Sequence, residues 1–142
     1  MINDKLGTTK LRALDKFFNA LEVSDYAGNK TAYEKASKSF LRQLLKDITA
    51  YIDSTYGITV ENSKIDFNPG GPAIAGDPTL YLTTDNNSGI CVYISETGFK
   101  ARQPILWRTI KHMKDYTGGA NNWQSVDEPY AEIVKRLAAA LK

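Results

Sequence analysis

One cysteine and one histidine stand among 142 residues, and each scarcity excludes a class of chemistry. Cys91 alone cannot close an internal disulfide, and a zinc site, which needs several Cys or His ligands at close spacing, finds one of each. No apolar segment follows Met1 and no long apolar run occurs elsewhere, so neither a signal peptide nor a membrane span is expected, and the location expected is cytoplasmic. Neither sign of charge dominates: 18 Lys and Arg stand against 16 Asp and Glu, a net +2 that does not by itself announce nucleic-acid binding. There is no internal repeat, low-complexity tract or long linker. Residues 1–142 therefore read as one domain, and with 42% hydrophobic and 24% charged residues they match an ordinary globular composition. A chain of this length buries roughly two thirds of its unfolded surface and needs no metal or disulfide to fold.

The patterning that is present starts with helices. Leu11, Leu14, Phe17, Phe18 and Leu21 recur at helical spacing between Thr9 and Leu21. Gly28 and Asn29 interrupt this, and Thr31 with Glu34 forms a capping-box pattern that predicts the start of a second, longer helix. Its apolar face runs through Tyr33, Ala36, Phe40, Leu41, Leu44, Ile48, Tyr51, Ile52 and Thr55 and stops at Gly57, which tolerates the left-handed conformation that ends helices. A third helix is predicted near the end, capped by Ser125 or Asp127, with Pro129 in its first turn. Its buried face is Tyr130, Ile133, Val134, Leu137, Ala138 and Leu141.

Between the helices the apolar period drops to two. Ile58, Val60, Ile65 and Phe67 suggest one or two short strands, and "TLYLTT" and "ICVYIS" flanking "DNNSG" predict a hairpin over 79–84 and 90–95. "ILWRTIKH" reads as a further strand over 105–112, with a helix over 105–114 as the alternative. The fold class expected is α+β: an antiparallel sheet of three to five strands packed by two N-terminal helices and one C-terminal helix.

Catalytic groups are sparse. Cys91 sits inside a strand pattern where a small apolar residue packs well, and His112, flanked by Lys111 and Lys114, has only Asp115 as a tolerable acid or base partner. Asp66, Asp77 and Asp85 match no metal-binding loop, and "NPGGPAIAGDP" lacks the Gly-Lys-Ser/Thr ending of a phosphate loop. No enzyme, cofactor or metal is expected.

Charge distribution is more informative than net charge. From Ile58 to Ser95 one cation, Lys64, faces Glu61, Asp66, Asp77 and Asp85; from Glu96 to Asp115 there are five cations and two acids. The segment "KHMKDYTGGANNW" continues this basic stretch with large aromatics. It points to a partner-binding surface formed by Lys100, Arg102, Arg108, Lys111, Lys114, Tyr116, Asn121 and Asn122, with Phe99 beside them. The alternative is a solvated strand whose lysines only discourage edge-to-edge pairing. Trp123 is assigned to the core, anchoring the chain before the last helix.

Together, "DPTLYLTTDNNSGICVYIS" and "ILWRTIKHMKDYTGGANNW" resemble small accessory proteins of bacterial mobile genetic elements such as phages and plasmids, anti-CRISPR proteins among them. The resemblance covers about residues 77–123 and carries no catalytic motif. It implies a protein that inhibits a host defence nuclease by occupying a working surface. The implied partner is a bacterial protein or protein–nucleic acid complex; a nucleic-acid-binding module acting on its own is the alternative.

Overall fold

Among the described residues three helices and five strands follow in the order α1 (Asp4–Ala20), α2 (Tyr26–Tyr56), β1 (Val60–Phe67), β2 (Pro78–Thr84), β3 (Gly89–Ile94), β4 (Ile105–Thr109), β5 (Asn122–Gln124) and α3 (Tyr130–Ala139). The computed structural model describes residues 2–20, 26–67, 78–94, 102–116 and 122–142, with side chains for all of these except 17–20, 26–33 and 67. The strands form one antiparallel meander in the order β1-β2-β3-β4-β5, so the fold is α+β as the sequence predicts. Among the described residues no helix is long and apolar enough to cross a membrane.

The two periods in the sequence become two layers. Alternate strand residues Leu80, Leu82, Ile90, Val92, Ile94 and Ile105 point to an inner face, where they meet Phe40, Leu41, Leu44, Ile48 and Ile52 of α2 in one buried core. α2 packs on β1, β2 and β3, while α1 and α3 pack on α2 and on each other. α3 adds Tyr130, Ile133, Val134, Leu137 and Ala138 to the same core.

Several boundaries differ from the sequence expectation. α2 runs through Thr31 instead of starting there, because Gly28 and Asn29 cost a helix only about 1 kcal/mol each and a helix of 31 residues outweighs that. α3 begins after Pro129 with no side-chain cap. Asp127 is not its cap because its carboxylate accepts hydrogen bonds from Arg102, at 3.0 Å from Nε and 2.7 Å from Nη2. β1 is a single strand with an irregularity between Val60 and Asn62, and β5 is a strand that alternation did not predict. The strand reading of "ILWRTIKH" holds from Ile105 to Thr109, where β4 ends short of 112, and the helix over 105–114 does not form. The hairpin of β2 and β3 is present, closed where Thr84 N–H donates to Ser88 O at 2.9 Å and turned at Asn87, whose φ is 64°.

Two buried tyrosines make the fold sensitive to alkali. Burial and the hydrogen bond to Asp47 raise the Tyr130 phenol above its ordinary range, and burial with the neighbouring Cys91 pushes Tyr81 up to about 12. In the unfolded chain both titrate near pH ~10. The folded state then holds protons that the unfolded state releases, so this stability is complete below about pH 10 and is lost as pH rises through the folded values. Urea midpoints measured from about pH 8 to about pH 11 should fall above about pH 10. Tyr130→Phe should flatten that decline.

Candidate binding surface

With helices on one face of the sheet, the residues that define the opposite, outer face are the other half of each strand. Register places Lys64 of β1 opposite Tyr81 of β2, Tyr81 opposite Cys91 of β3, and Cys91 opposite Arg108 of β4. A second row crosses Asp66, Thr79, Tyr93, Leu106 and Trp123.

Residues 110–116 fold back over the first of these rows as a strap. Ile110 N–H donates to Gly89 O at 3.0 Å, holding the chain beside β3 after the strand ends. Ile110 and Met113 then pack on Tyr81 and Cys91 in a small apolar cluster separate from the main core. Asp115 locks the strap: its carboxylate accepts from Lys111 N–H at 2.9 Å and lies 3.7 Å from Arg108 Nη1, while its backbone carbonyl accepts from Arg108 Nη2. Arg108 is consequently buried at 8% exposure, a charge that needs these partners. Tyr116 ends the strap with its ring edge-on to Tyr81, centroids 5.8 Å apart. The Lys64 ammonium sits 5.1 Å from the Tyr81 ring and 5.6 Å from that of Tyr116, and it donates to the Tyr116 hydroxyl at 3.4 Å.

This arrangement gathers some of the expected site residues and separates others. Arg108, Lys111, Lys114 and Tyr116 belong to the strap or lie directly beneath it. Lys111 and Lys114 are exposed and make no ion pair among the described residues. Arg102 is elsewhere and structurally committed: it holds Asp15 at 2.9 Å and Asp127 at 2.7 Å, and this hydrogen bonding keeps the Asp127 carboxyl below the usual carboxylate range. It adopts φ 56°, a left-handed conformation costing about 1 to 2 kcal/mol, and its carbonyl accepts from Val126 N–H at 3.1 Å. Asn122 pairs with Trp107, which packs toward the core, so it projects to the helix side of the sheet. Phe99, Lys100 and Asn121 lie outside the described residues, as do residues 68–77.

Trp123 overturns its expected place in the core. It is 53% exposed, because β5 pairs it with Leu106 and so turns it to the outer face, whereas Gln124 takes the inner position opposite Ile105. Tyr116 is equally exposed at 53%. Lys64, half-buried, joins this surface and the buried Tyr81 supports it from beneath, and the spacing of neither marks it as part of a site. Only the strand register brings them under the strap.

Among the described residues this surface offers contact and charge. Cys91 is buried, and burial raises its thiol above the ordinary range despite the opposing pull of Arg108, so it lacks the environment of an activated nucleophile. His112 accepts a hydrogen bond at Nδ1 from Lys114 N–H, at 3.2 Å. Asp115, its nominal carboxylate partner, is engaged by Arg108 and Lys111. Among the described residues no three His, Cys, Asp or Glu side chains gather where they could hold a metal. A cleft of about 370 Å³ between α1 and residues 126–130 is acidic, but Asp15 and Asp127 are held there by Arg102, and Glu128 by Arg136 at 2.6 Å. No family model matches this chain, no curated protein is detectably similar to it, and no solved structure matches its fold.

Proposed function

We propose that this is a non-catalytic binding protein of a bacterial mobile element, acting in the cytoplasm, that inhibits a host defence nuclease by seating its outer sheet face on that partner. The observation that carries the surface is the exposure of Tyr116 and Trp123 on the side of the sheet away from the helices. Large aromatics are costly to leave in water and supply contact area at low entropy cost when covered. Lys111 and Lys114, in the strap that ends at Tyr116, are exposed cations suited to an acidic surface or to phosphate. The assignment to a mobile element and a nuclease rests on the resemblance of residues 77–123 and not on the geometry.

Capture of a partner from a bacterial lysate, with and without nuclease treatment, tests the reading. A protein partner should remain after nucleic acid is destroyed. Trp123→Ala should then weaken its affinity about tenfold or more, while folding stability changes by about 1 kcal/mol or less because the indole is half in water. Reversing Lys111 and Lys114 to Glu should mainly slow association. Loss of the partner on nuclease treatment, together with a flatter salt dependence in the reversed variant, would favour the nucleic-acid-binding module instead. His112→Ala should keep full activity. A folded His112→Ala protein without activity would point to an enzyme.

A further inference from the structure

β1 is an edge strand of eight residues, long for an edge, and the backbone groups along it have no partner strand on one side among the described residues. Which groups face outward follows from the hairpin. Thr84 bonds to Ser88, and bonded pairs alternate along an antiparallel ladder, so Leu82 and Leu80 bond toward β3 while Thr83, Tyr81 and Thr79 bond toward β1. Their register partners Asn62, Lys64 and Asp66 therefore bond inward. The N–H and C=O groups of Ser63, Ile65 and Phe67 point out of the sheet edge.

Charged residues usually blunt such an edge, but the triplet Lys64-Ile65-Asp66 does so selectively. Consider two copies paired antiparallel about a two-fold axis normal to the sheet, which keeps outer faces on the same side. Centring on Lys64 sets lysine against lysine, and centring on Asp66 sets acid against acid. Centring on Ser63 runs into the irregularity between Val60 and Asn62. Centring on Ile65 matches the outward backbone groups of Ser63, Ile65 and Phe67 and sets Lys64 against Asp66 of the other copy, twice. Those two pairs occupy the non-hydrogen-bonded positions, where side chains approach most closely. Ile65, half-buried on the inner face, gains the same residue as a neighbour across the axis.

We propose that the protein forms a homodimer through antiparallel pairing of its β1 edges in this register, joining two sheets into one. The proposal shares Lys64 with the surface above but does not rest on the functional reading, since the strap residues 110–116 take no part in the pairing.

Sedimentation of the full chain from micromolar to near-millimolar concentration should show a monomer–dimer equilibrium. Lys64→Asp and Asp66→Lys, each alone, should weaken the dimer by about tenfold or more, because each puts like charges at both contacts. An equal mixture of the two variants should restore it, since every contact then joins opposite charges, and this arm is insensitive to any effect of Lys64→Asp on Tyr81 or Tyr116. Ile65→Pro removes an outward donor at an edge where proline is tolerated, and should leave a folded monomer. A wild-type protein that stays monomeric throughout overturns the proposal. So does a dimer that survives Ile65→Pro, or two charge variants that fail to associate when mixed while circular dichroism shows both folded.

Discussion

Gly7→Ala is expected to destabilise the protein by about 2 to 3 kcal/mol, although alanine is the better helix former by about 1 kcal/mol. Gly7 lies inside α1, where its missing side chain leaves room for an aromatic ring. A Cβ there would fall 2.0 Å from Tyr130 Cε2 and 2.3 Å from Cδ2 and Cζ, far inside contact distance. The ring cannot step aside. Tyr130 is 1% exposed, meets Phe40 edge-on with centroids 6.1 Å apart, and is held by its hydroxyl, which donates to Asp47 at 2.5 Å. Relief must come from moving α1 off α3, at the expense of Leu11 and Leu14 in the core. Urea denaturation of the variant should show a lower midpoint at unchanged slope. Gly57→Ala serves as a contrast: its Cβ would meet nothing, and the penalty there comes only from the φ of 66°. A Gly7→Ala protein more stable than the wild type would mean that α1 and Tyr130 do not pack this way.

That contact could not be read from the sequence, and the reason is general for this chain. Periodicity reports which side of an element is apolar, so the buried face of α2 through Phe40, Leu44, Ile48 and Ile52, the hairpin around Asn86 and Asn87, and the face of α3 were all legible. It does not report which element meets which. Gly7 lies before the helical pattern that begins at Thr9, and only the structure, where α1 starts at Asp4, shows that Tyr130, far along the chain, fills the space beside it. The same limit moved Trp123. With only three residues, β5 is too short to show alternation, and the parity of its pairing with β4, not hydrophobicity, decides that Trp123 faces out and Gln124 faces in.

The candidate surface was legible to a similar depth. The basic, aromatic character of residues 108–116 is a sequence property, and Arg108, Lys111, Lys114 and Tyr116 do come together. Arg102 belonged to the same charge run but was claimed by Asp15 and Asp127, acids that lie far from it in sequence. In "ILWRTIKH" alternation continues to His112, yet the strand stops at Thr109 because Asp115 draws Lys111 N–H and Arg108 into a turn. A short-range carboxylate contact overrides a pattern that hydrophobicity alone would extend.

Asp47→Ala should cost about 3 to 5 kcal/mol, the largest loss expected from any single polar change here. Asp47 is 2% exposed and joins three parts of the fold: its carboxylate accepts from Asn3 N–H at 2.9 Å, from Gln43 Nε2 at 3.0 Å and from the Tyr130 hydroxyl at 2.5 Å. Asn3 in turn caps α1, its side-chain oxygen accepting from Leu6 N–H at 3.2 Å, so the node fixes where α1 begins as well as where α3 docks. Alanine would leave the buried Gln43 and Tyr130 donors without an acceptor, and each buried orphan costs about 1 to 3 kcal/mol, while the part-buried Asn3 N–H would lose its bond as well. Asp47→Asn should lose less, because the amide oxygen keeps one donor and the Tyr130 hydroxyl can reverse and accept from the new N–H₂. Tyr130→Phe removes one donor and keeps the other two. Its loss and that of Asp47→Ala should therefore fall short of additive in the double variant, by about 1 kcal/mol or more. Urea midpoints for the four proteins measure this coupling, and strictly additive losses would show that the Tyr130 hydroxyl and Asp47 do not share a hydrogen bond.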